Sequence, residues 1–415
     1  MNDFVFFESD KIIDTKIIYS NDYGKNPYIL ENKLFIPKEM LKEKYLINFQ
    51  KNKEEYQNKN KEFIINNKEP TGLVNIGGIC YLNSVLQCLF YCRPLTDYFL
   101  SLDEFSNLGL VSKGYYDFIK GLNSGNKYAA ENLLKAIIAT DNSFNGTEGK
   151  DSKDLFILIL SQLHEELLDK NYYYINEKFS KIQFQEIKKK NYKTINNHDK
   201  LEVFIKAINS EREKKNNTII SDIFGYLILL ENKCNYGKCN SPYSKTFFNI
   251  QNENIIIFEL KNIIKKNSYQ ISLHDCLLDY SKIESLNCPY CKTNNLKIRK
   301  TICTLPKYFI FIMSRGKYAG LNCEIKVEKE LDMKKYYTPI DDKYKEKNCI
   351  YDLLCGTLVF DWFRGYGHEG HTVALCKTYK YGQFYIFNDS LVRKSNINEF
   401  DRKTPYILIY ERRDN

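Results

Sequence analysis

The sequence has no long apolar run, no export signal and no block of like charges. No stretch approaches the roughly 18 apolar residues that a membrane-spanning helix needs. Residues 1–7 have neither the basic start nor the long apolar core of a secretory signal. The formal net charge is +9, but Lys and Glu alternate in segments such as 51–62, which favours a solvated surface over a nucleic-acid interface. We therefore expect a cytoplasmic or nuclear globular protein that binds neither membranes nor nucleic acids.

Histidine is scarce, and the cysteines are odd in number. Thirteen cysteines in a chain without an export signal argue against a disulfide framework. They favour reduced thiols, metal ligands or a nucleophile. Only five histidines are present, so a catalytic base of this type has few candidates.

At 415 residues the chain exceeds one typical domain. Residues 1–69 contain two apolar patches, at 12–19 and 28–36, that predict short strands. Pro37 then opens a charged segment, through residue 62, that predicts a solvent-facing helix. This region carries no recognisable chemistry, so we interpret it as an extension or accessory segment.

The rest of the chain, from residue 70, changes from helical to strand patterns. Helices are predicted at 81–90 (ended by Pro94), 128–139 and 152–169, and residues 181–215 form a charged helical excursion or insertion. Strands are predicted at 254–260, 308–313, 351–360, 372–376, 383–387 and 406–410. Helices first and strands later indicate an α+β fold.

Cys80 lies where a glycine-bearing loop meets the predicted helix that begins near Tyr81. A helix N-terminus stabilises a thiolate through its unpaired N–H groups. The adjacent Gly77 and Gly78 allow close backbone approach, and Asn75 offers an amide donor for an oxyanion. The residues alone leave open that Cys80 is one more small buried cysteine.

A nucleophilic cysteine needs a base, and the base needs an orienting partner. His368 and His371 both precede a predicted hairpin whose strands are joined through residues 379–382. An antiparallel register centred on that turn puts His371 almost opposite Asn388, whereas His368 lies beyond the strand. We therefore predict His371 as the base and Asn388 as its partner.

Two tight cysteine pairs, Cys234 with Cys239 and Cys288 with Cys291, have the spacing of a structural zinc site. Four thiolates satisfy one tetrahedral ion and leave no open position for catalysis. We expect one zinc per chain. The alternative is that these thiols only pack against one another.

Four segments resemble motifs of the ubiquitin-specific proteases. Residues 72–87, GLVNIGGICYLNSVLQ, are similar to the cysteine box of that family, with Gly78 and Ile79 in place of the usual Asn and Thr. Residues 370–372 and 387–392, GHT and FNDSLV, resemble its histidine motifs, with Thr372 in place of Tyr, and residues 405–410 resemble its last strand. Phe384 stands in place of a usual Trp.

The resemblance implies roles for individual residues. Cys80 would be the nucleophile, Asn75 the oxyanion-hole side chain, His371 the base and Asn388 the third residue. Asp389 would be a secondary polar contributor, and an ordinary turn carboxylate is the alternative. Cys234, Cys239, Cys288 and Cys291 would form the zinc ribbon at the tip of the family's fingers subdomain.

Asp151 is a candidate for substrate binding. Residues 149–156, GKDSKDLF, resemble a family segment whose Asp pairs with a basic residue of ubiquitin's tail. The alternative is that Asp151 only caps the following helix, which Asp favours at such a position.

The resemblance also implies a fold and a function. The fold would be a papain-like cysteine protease core with a helical thumb, a β-sheet palm and zinc-ribbon fingers at about 220–300, in a catalytic domain spanning 70–412. The function would be hydrolysis after the C-terminal glycine of ubiquitin through a Cys80 thioester, with ubiquitin, ubiquitinated proteins and activating subunits as partners. A catalytically weak ubiquitin-binding scaffold and a protease for another ubiquitin-like modifier are the alternatives.

Overall fold

The chain forms two compact units in a computed structural model. The first unit comprises residues 1–64 and 177–192, and the second, the main unit, comprises residues 65–176 and 193–415. The structure describes residues 4–8, 11–12, 28–30, 33–37, 69–102, 108–146, 150–168, 218–240, 242, 246–264, 270–315, 323–340, 345–360, 371–379, 382–402 and 404–414.

The first unit contains a four-stranded antiparallel sheet. Its strands are β1 (Phe4–Glu8), β2 (Lys11–Ile12), β3 (Tyr28–Leu30) and β4 (Lys33–Pro37), in the order β2-β1-β4-β3. Pro37 ends strand β4 opposite Phe4, so the expectation that it opens a helix was wrong for this residue. The remainder of the predicted helix, to residue 62, and the charged segment 181–215 lie outside the described residues.

Helices dominate the first half of the main unit. They are α1 (Cys80–Phe90), α2 (Arg93–Leu100), α3 (Leu110–Asn123), α4 (Glu131–Thr140), α5 (Ser152–Leu167) and α6 (Ile219–Phe224). All eleven residues of α1 are buried, as expected for a helix inside a domain. Pro94 lies in the first turn of α2, where its missing N–H costs nothing, so it begins a helix as well as following one.

The second half of the main unit is built around an eight-stranded sheet, here called the palm sheet. Seven of its strands follow the order β17-β16-β15-β14-β18-β11-β7, and β13 pairs with β14. The strands are β7 (Ile256–Glu259), β11 (Tyr308–Ser314), β13 (Glu330–Asp332), β14 (Ile350–Phe360), β15 (His371–Lys377), β16 (Phe384–Asn388), β17 (Leu391–Ser395) and β18 (Thr404–Arg412). Helix α1 packs on β15, β14 and β16.

A second sheet, here called the fingers sheet, has the order β6-β5-β10-β9. Its strands are β5 (Tyr226–Cys234), β6 (Phe247–Glu253), β9 (Glu284–Leu286) and β10 (Leu296–Ile302). Strand β5 starts at Tyr226, which is packed in the palm core, and ends at Cys234. Eight steps of about 3.3 Å put those two residues about 26 Å apart.

Smaller elements complete the described part of the main unit. They are α7 (Leu260–Ile263), β8 (Gln270–Ser272), α8 (Leu273–Tyr280), β12 (Glu324–Lys326) and α9 (Glu399–Arg402), with β8 and β12 forming a parallel pair. Among the described residues, no helix is long and apolar enough to cross a membrane. The order of helices and strands confirms the predicted α+β class.

Candidate active site and cysteine cluster

Cys80 is the first residue of helix α1. The preceding loop turns through Gly77 at φ 130° and Gly78 at φ 65°, both in the left-handed region. Asn, which the family resemblance leads one to expect at position 78, is among the few other residues that adopt φ near 65° readily. The Gly78 substitution therefore preserves the backbone conformation that delivers Cys80 to the helix N-terminus.

His371 and Asn388 lie side by side at the ends of adjacent palm strands. Strands β15 and β16 pair Ala374 with Phe387 and Cys376 with Tyr385, which is the register expected from the turn. His371 Nε2 lies 2.6 Å from Asn388 Oδ1. With Nε2 occupied, Nδ1 is the ring nitrogen left for Cys80.

The His371 ring donates a hydrogen bond to the Cys80 sulfur. This bond is the largest cause that raises the pKa of His371 to about 9, with Asn388 contributing and burial opposing. A raised pKa means that the surroundings favour the imidazolium form. The site therefore favours a protonated His371 beside the Cys80 sulfur.

The Asn75 side chain is held by three hydrogen bonds. Its Oδ1 accepts from Gly77 N at 3.0 Å and from Ile79 N at 3.2 Å. Its Nδ2 donates to Asp389 Oδ2 at 3.0 Å. An amide nitrogen carries two hydrogens, so one N–H of Asn75 remains for an oxyanion beside Cys80.

Asp389 is tied into the site at its backbone and at both carboxylate oxygens. Its residue conformation is left-handed, at φ 52°, and its carbonyl accepts from Leu73 N at 3.0 Å. One carboxylate oxygen binds Asn75, and the other accepts from Asn83 Nδ2 at 2.8 Å. The carboxylate thus does more than support a turn.

Sequence reasoning missed Asn83. It lies one helical turn after Cys80, inside the same motif, and its side chain is 2% exposed. A buried amide on the nucleophile's own helix was an available signal, but its partner is 306 positions away. Of the other histidines, His164 bonds Thr218 Oγ1 at 2.8 Å, and His368 lies outside the described residues.

Asp151 caps helix α5 and contacts β18, the most C-terminal strand of the palm sheet. Its Oδ1 accepts from Lys153 N at 2.8 Å. The hydroxyl of Tyr406, on β18, lies 2.8 Å from both carboxylate oxygens. Burial and then the neighbouring Asp151 raise the pKa of Tyr406, so its hydroxyl keeps its proton and donates. The capping role is therefore present, and Asp151 is still exposed to solvent.

The two cysteine pairs come together beyond the end of strand β5. The four sulfurs of Cys234, Cys239, Cys288 and Cys291 lie within 4.8 Å of one another. Cys234 Sγ is 3.7 Å from Cys291 Sγ, and Cys239 Sγ is 3.8 Å from Cys288 Sγ. A tetrahedron with zinc–sulfur bonds of about 2.3 Å has sulfurs about 3.8 Å apart. The spacing therefore fits one metal ion.

Local hydrogen bonds shape the cysteine cluster. Cys288 N donates to Thr293 O at 2.8 Å, and Lys292 N to Cys288 O at 2.9 Å, which closes a tight turn with Lys292 at φ 56°. Hydrogen bonds from Thr293 lower the pKa of Cys291 to about 6, which favours the thiolate that a metal binds.

A second group of cysteines lies in the core beneath the candidate active site. The sulfurs of Cys88, Cys355 and Cys376 are within 4.8 Å of one another, and all three residues are fully buried between α1 and the palm sheet. Three thiolates there would place uncompensated charge in an apolar core, which is costly. We therefore interpret the group as small apolar side chains that pack.

Comparison with known proteins identifies the family. Residues 71–410 match the family described as ubiquitin carboxyl-terminal hydrolase. The chain belongs to this family. Over 111 residues it is 37% identical to ubiquitin carboxyl-terminal hydrolase 32 of Mus musculus, a match that covers 24% of this chain and 7% of that protein. Over 126 residues it is 34% identical to ubiquitin carboxyl-terminal hydrolase 12 of Saccharomyces cerevisiae, covering 25% and 10%. The matched segments thus span a tenth or less of each relative.

Solved structures share the fold of this chain. The SAGA Ubp8/Sgf11/Sus1/Sgf73 DUB module bound to ubiquitin aldehyde is similar with a TM-score of 0.57 and 20% identity, over 83% of this chain and 70% of that chain. The module bound to monoubiquitin gives a TM-score of 0.56 at the same identity, over 83% and 69%. At this identity the likeness concerns the fold alone, and it supports the α+β assignment.

Proposed function

We propose that this chain is a cysteine-dependent deubiquitinase that hydrolyses isopeptide or peptide bonds after the C-terminal glycine of ubiquitin. The observation that carries the proposal is the hydrogen-bonded series Cys80, His371, Asn388 inside a domain of the ubiquitin carboxyl-terminal hydrolase family. A nucleophile, a base and an orienting amide in contact form the minimum set for acyl transfer through a covalent intermediate.

The chemistry follows from the positions of the side chains. The Cys80 thiolate attacks the carbonyl carbon of the terminal glycine, and the remaining N–H of Asn75 stabilises the oxyanion that forms. The His371 imidazolium then gives its proton to the leaving amine, which yields a thioester on Cys80. A water molecule, deprotonated by His371, hydrolyses the thioester and regenerates the thiolate.

Asn388 and Asp389 orient groups without taking part in bond changes. The 2.6 Å bond to Asn388 Oδ1 fixes the His371 tautomer so that Nδ1 faces Cys80. Asp389 holds the Asn75 amide in place through Oδ2. Asp151 presents an exposed carboxylate at the start of α5, and we assign it to a basic residue of ubiquitin's tail in addition to its capping role.

Cys234, Cys239, Cys288 and Cys291 would hold a structural zinc ion. When bound, the ion would supply folding energy by cross-linking the end of β5 to the turn that precedes β10. Four sulfur ligands leave no coordination position for substrate or water. The catalytic steps above therefore involve only protein groups and water.

Ubiquitin and ubiquitinated proteins are the proposed partners, with further protein subunits as activators. Support comes from the two similar structures, which are complexes of Ubp8, Sgf11, Sus1 and Sgf73 with ubiquitin aldehyde or monoubiquitin. The intact series of Cys80, His371 and Asn388 favours an enzyme over a ubiquitin-binding scaffold, because a scaffold has no chemical need for all three.

A ubiquitin probe that carries a C-terminal electrophile tests the proposal. We expect a covalent adduct on Cys80 of the full chain, identified by peptide mass spectrometry, and no adduct in Cys80→Ser. Binding of ubiquitin without an adduct would support the scaffold instead. Labelling only by probes built from other ubiquitin-like modifiers would assign the enzyme to one of those modifiers.

A further inference from the structure

Asn83 links the nucleophile's helix to Asp389. The residue lies on α1 one turn after Cys80, and its Nδ2 donates to Asp389 Oδ1 at 2.8 Å. The Asn83 side chain is buried and Asp389 is half-buried, so the bond is partly shielded from water. The bond joins helix α1 to the turn between strands β16 and β17, which carries Asp389 beside Asn388.

Asp389 is held from its other side by the backbone that leads into the Cys80 loop. Leu73 N donates to its carbonyl at 3.0 Å. A Cβ on Gly72 would lie only 2.3 Å from the same carbonyl oxygen, so the two chain segments are in close contact. With the backbone fixed, the direction of the carboxylate depends on the two amides that donate to it, from Asn83 and from Asn75.

The same carboxylate determines how the Asn75 amide is turned. Asn75 Oδ1 is taken by Gly77 N and Ile79 N, and one Nδ2 hydrogen is taken by Asp389. These three bonds leave a single N–H whose direction is set by the position of Asp389 Oδ2. A shift of the carboxylate therefore misdirects the donor meant for the oxyanion.

We infer that Asn83 is a positioning residue that acts through Asp389 to aim the Asn75 amide at the oxyanion. The inference rests on the proposed function, since it concerns the same reaction. A positioning role differs from a purely structural role in the catalytic step that the residue affects. Loss of Asn83 should weaken stabilisation of the oxyanion, whereas the Cys80–His371 pair should still form. Preorganised donors of this kind act on kcat, because the charge they meet exists only in the transition state.

The test compares Asn83→Ala with wild type in the full chain, using ubiquitin with a fluorogenic amide at its C-terminus. We expect kcat to fall about tenfold with KM unchanged, less than the roughly 10²–10³-fold loss that follows direct removal of an oxyanion donor. The rate at which iodoacetamide alkylates Cys80 should stay at the wild-type value, because alkylation needs the thiolate and no oxyanion hole. Ser84→Ala is the matched control: Ser84 is equally buried on α1, and its hydroxyl donates only to Tyr81 O, at 3.0 Å.

A double-mutant cycle with Asp389→Ala separates the relay from a direct effect. If Asn83 acts through Asp389, Asn83→Ala should cause no further loss in the Asp389→Ala background. Additive losses, an equal loss in Ser84→Ala, or a parallel loss of Cys80 alkylation would each overturn the inference.

A second variant covers the case in which Asn83→Ala does not fold. Asn83→Leu keeps a similar side-chain size but cannot donate to Asp389, so it should reproduce the kcat loss. If both variants unfold while Ser84→Ala folds, Asn83 is structural and the inference is wrong. A wild-type chain that leaves the fluorogenic ubiquitin intact would instead refute the proposed function, and this inference with it, whereas an active wild type with an equally active Asn83→Ala refutes only the inference.

Discussion

The side chains of the candidate site are nearly all engaged by one another before any substrate arrives. Asn388 holds one nitrogen of His371, Cys80 holds the other, and Asp389 holds Asn75. Such preorganisation matters because donors that are already oriented need no reorganisation when charge develops in the transition state. The two groups left to act on a substrate are the Cys80 sulfur and one N–H of Asn75.

The pKa of His371 should depend on Cys80. The hydrogen bond from the His371 ring to the Cys80 sulfur is the largest cause of the raised value of about 9, so Cys80→Ala should lower the pKa towards the ordinary 6.5. NMR titration of the imidazole resonances, assigned with His371→Ala, measures both values. An unchanged pKa in Cys80→Ala would contradict the contact between the two side chains.

The pH dependence of hydrolysis follows from the same value. His371 carries its proton below about pH 9 and loses it as the pH rises through that value. Without the imidazolium, the leaving amine has no proton donor, so kcat/KM should decline above about pH 9. A profile of kcat/KM against pH on fluorogenic ubiquitin checks this, and an alkaline limb near the ordinary pKa of 6.5 would contradict it.

The three residues of the series should differ in their effects on catalysis. Cys80→Ser and His371→Ala should each abolish measurable hydrolysis with the fold intact, and the double variant should be no worse, because the two act as one unit. Asn388→Ala should retain activity, losing less than the roughly 10²–10⁴-fold that a general base contributes, because Asn388 only orients the base. Steady-state kinetics with circular dichroism as the folding control measures these effects, and an Asn388→Ala as inactive as His371→Ala would show that it does more than orient.

At the scale of elements, strands and turns were the more predictable part. The turn at 379–382 set a register that the structure reproduces, and this register brings His371 to Asn388. The short spacing within each cysteine pair aims two sulfurs at one point, so the grouping of four sulfurs could also be predicted from the sequence. Contacts that depend on partners far along the chain could not be foreseen. One is Glu166, whose carboxylate caps helix α3 through Val111 N and Ser112 N at 3.1 and 2.6 Å.

Asp151 allows its two roles to be separated by two substitutions. Asp151→Asn keeps an oxygen for Lys153 N and for Tyr406, so stability should be preserved, whereas Asp151→Ala should cost about 0.5–2 kcal/mol of unfolding free energy for the lost cap. Both variants lose the negative charge, so both should raise KM for ubiquitin substrates without changing kcat. Denaturant melts and steady-state kinetics measure the two effects. An unchanged KM in Asp151→Asn would reduce Asp151 to a helix cap.

In the main unit, the candidate site lies where the helical layer meets the palm sheet. Helix α1 delivers Cys80, and strands β15 and β16 deliver His371 and Asn388 from positions about 300 residues later. Sequence patterns identify each element but not how the layers are aligned, because many weak packing contacts decide that alignment. Asp389 shows the consequence: its two amide partners, Asn75 and Asn83, lie 314 and 306 positions away, so only the assembled fold reveals its contacts.

The cysteine cluster lies at the far end of the fingers sheet from the palm core, so loss of the metal should affect stability and ubiquitin binding but not the nucleophile. Strand β5 carries the cysteine cluster about 26 Å from its start in the palm core, so metal loss should not reach the nucleophile directly. We expect close to one zinc per chain, and Cys288→Ser should lower both metal content and melting temperature, since binding energy in such sites is folding energy. KM for ubiquitin should rise, whereas iodoacetamide should alkylate Cys80 at the wild-type rate.

Cys303→Ser is the control, because Cys303 is also buried but lies outside the cluster. Elemental analysis, thermal melts and alkylation rates measure these quantities. A stable wild type without metal would refute the zinc site, and loss of Cys80 alkylation along with the metal would refute the independence of the fingers sheet from the active centre.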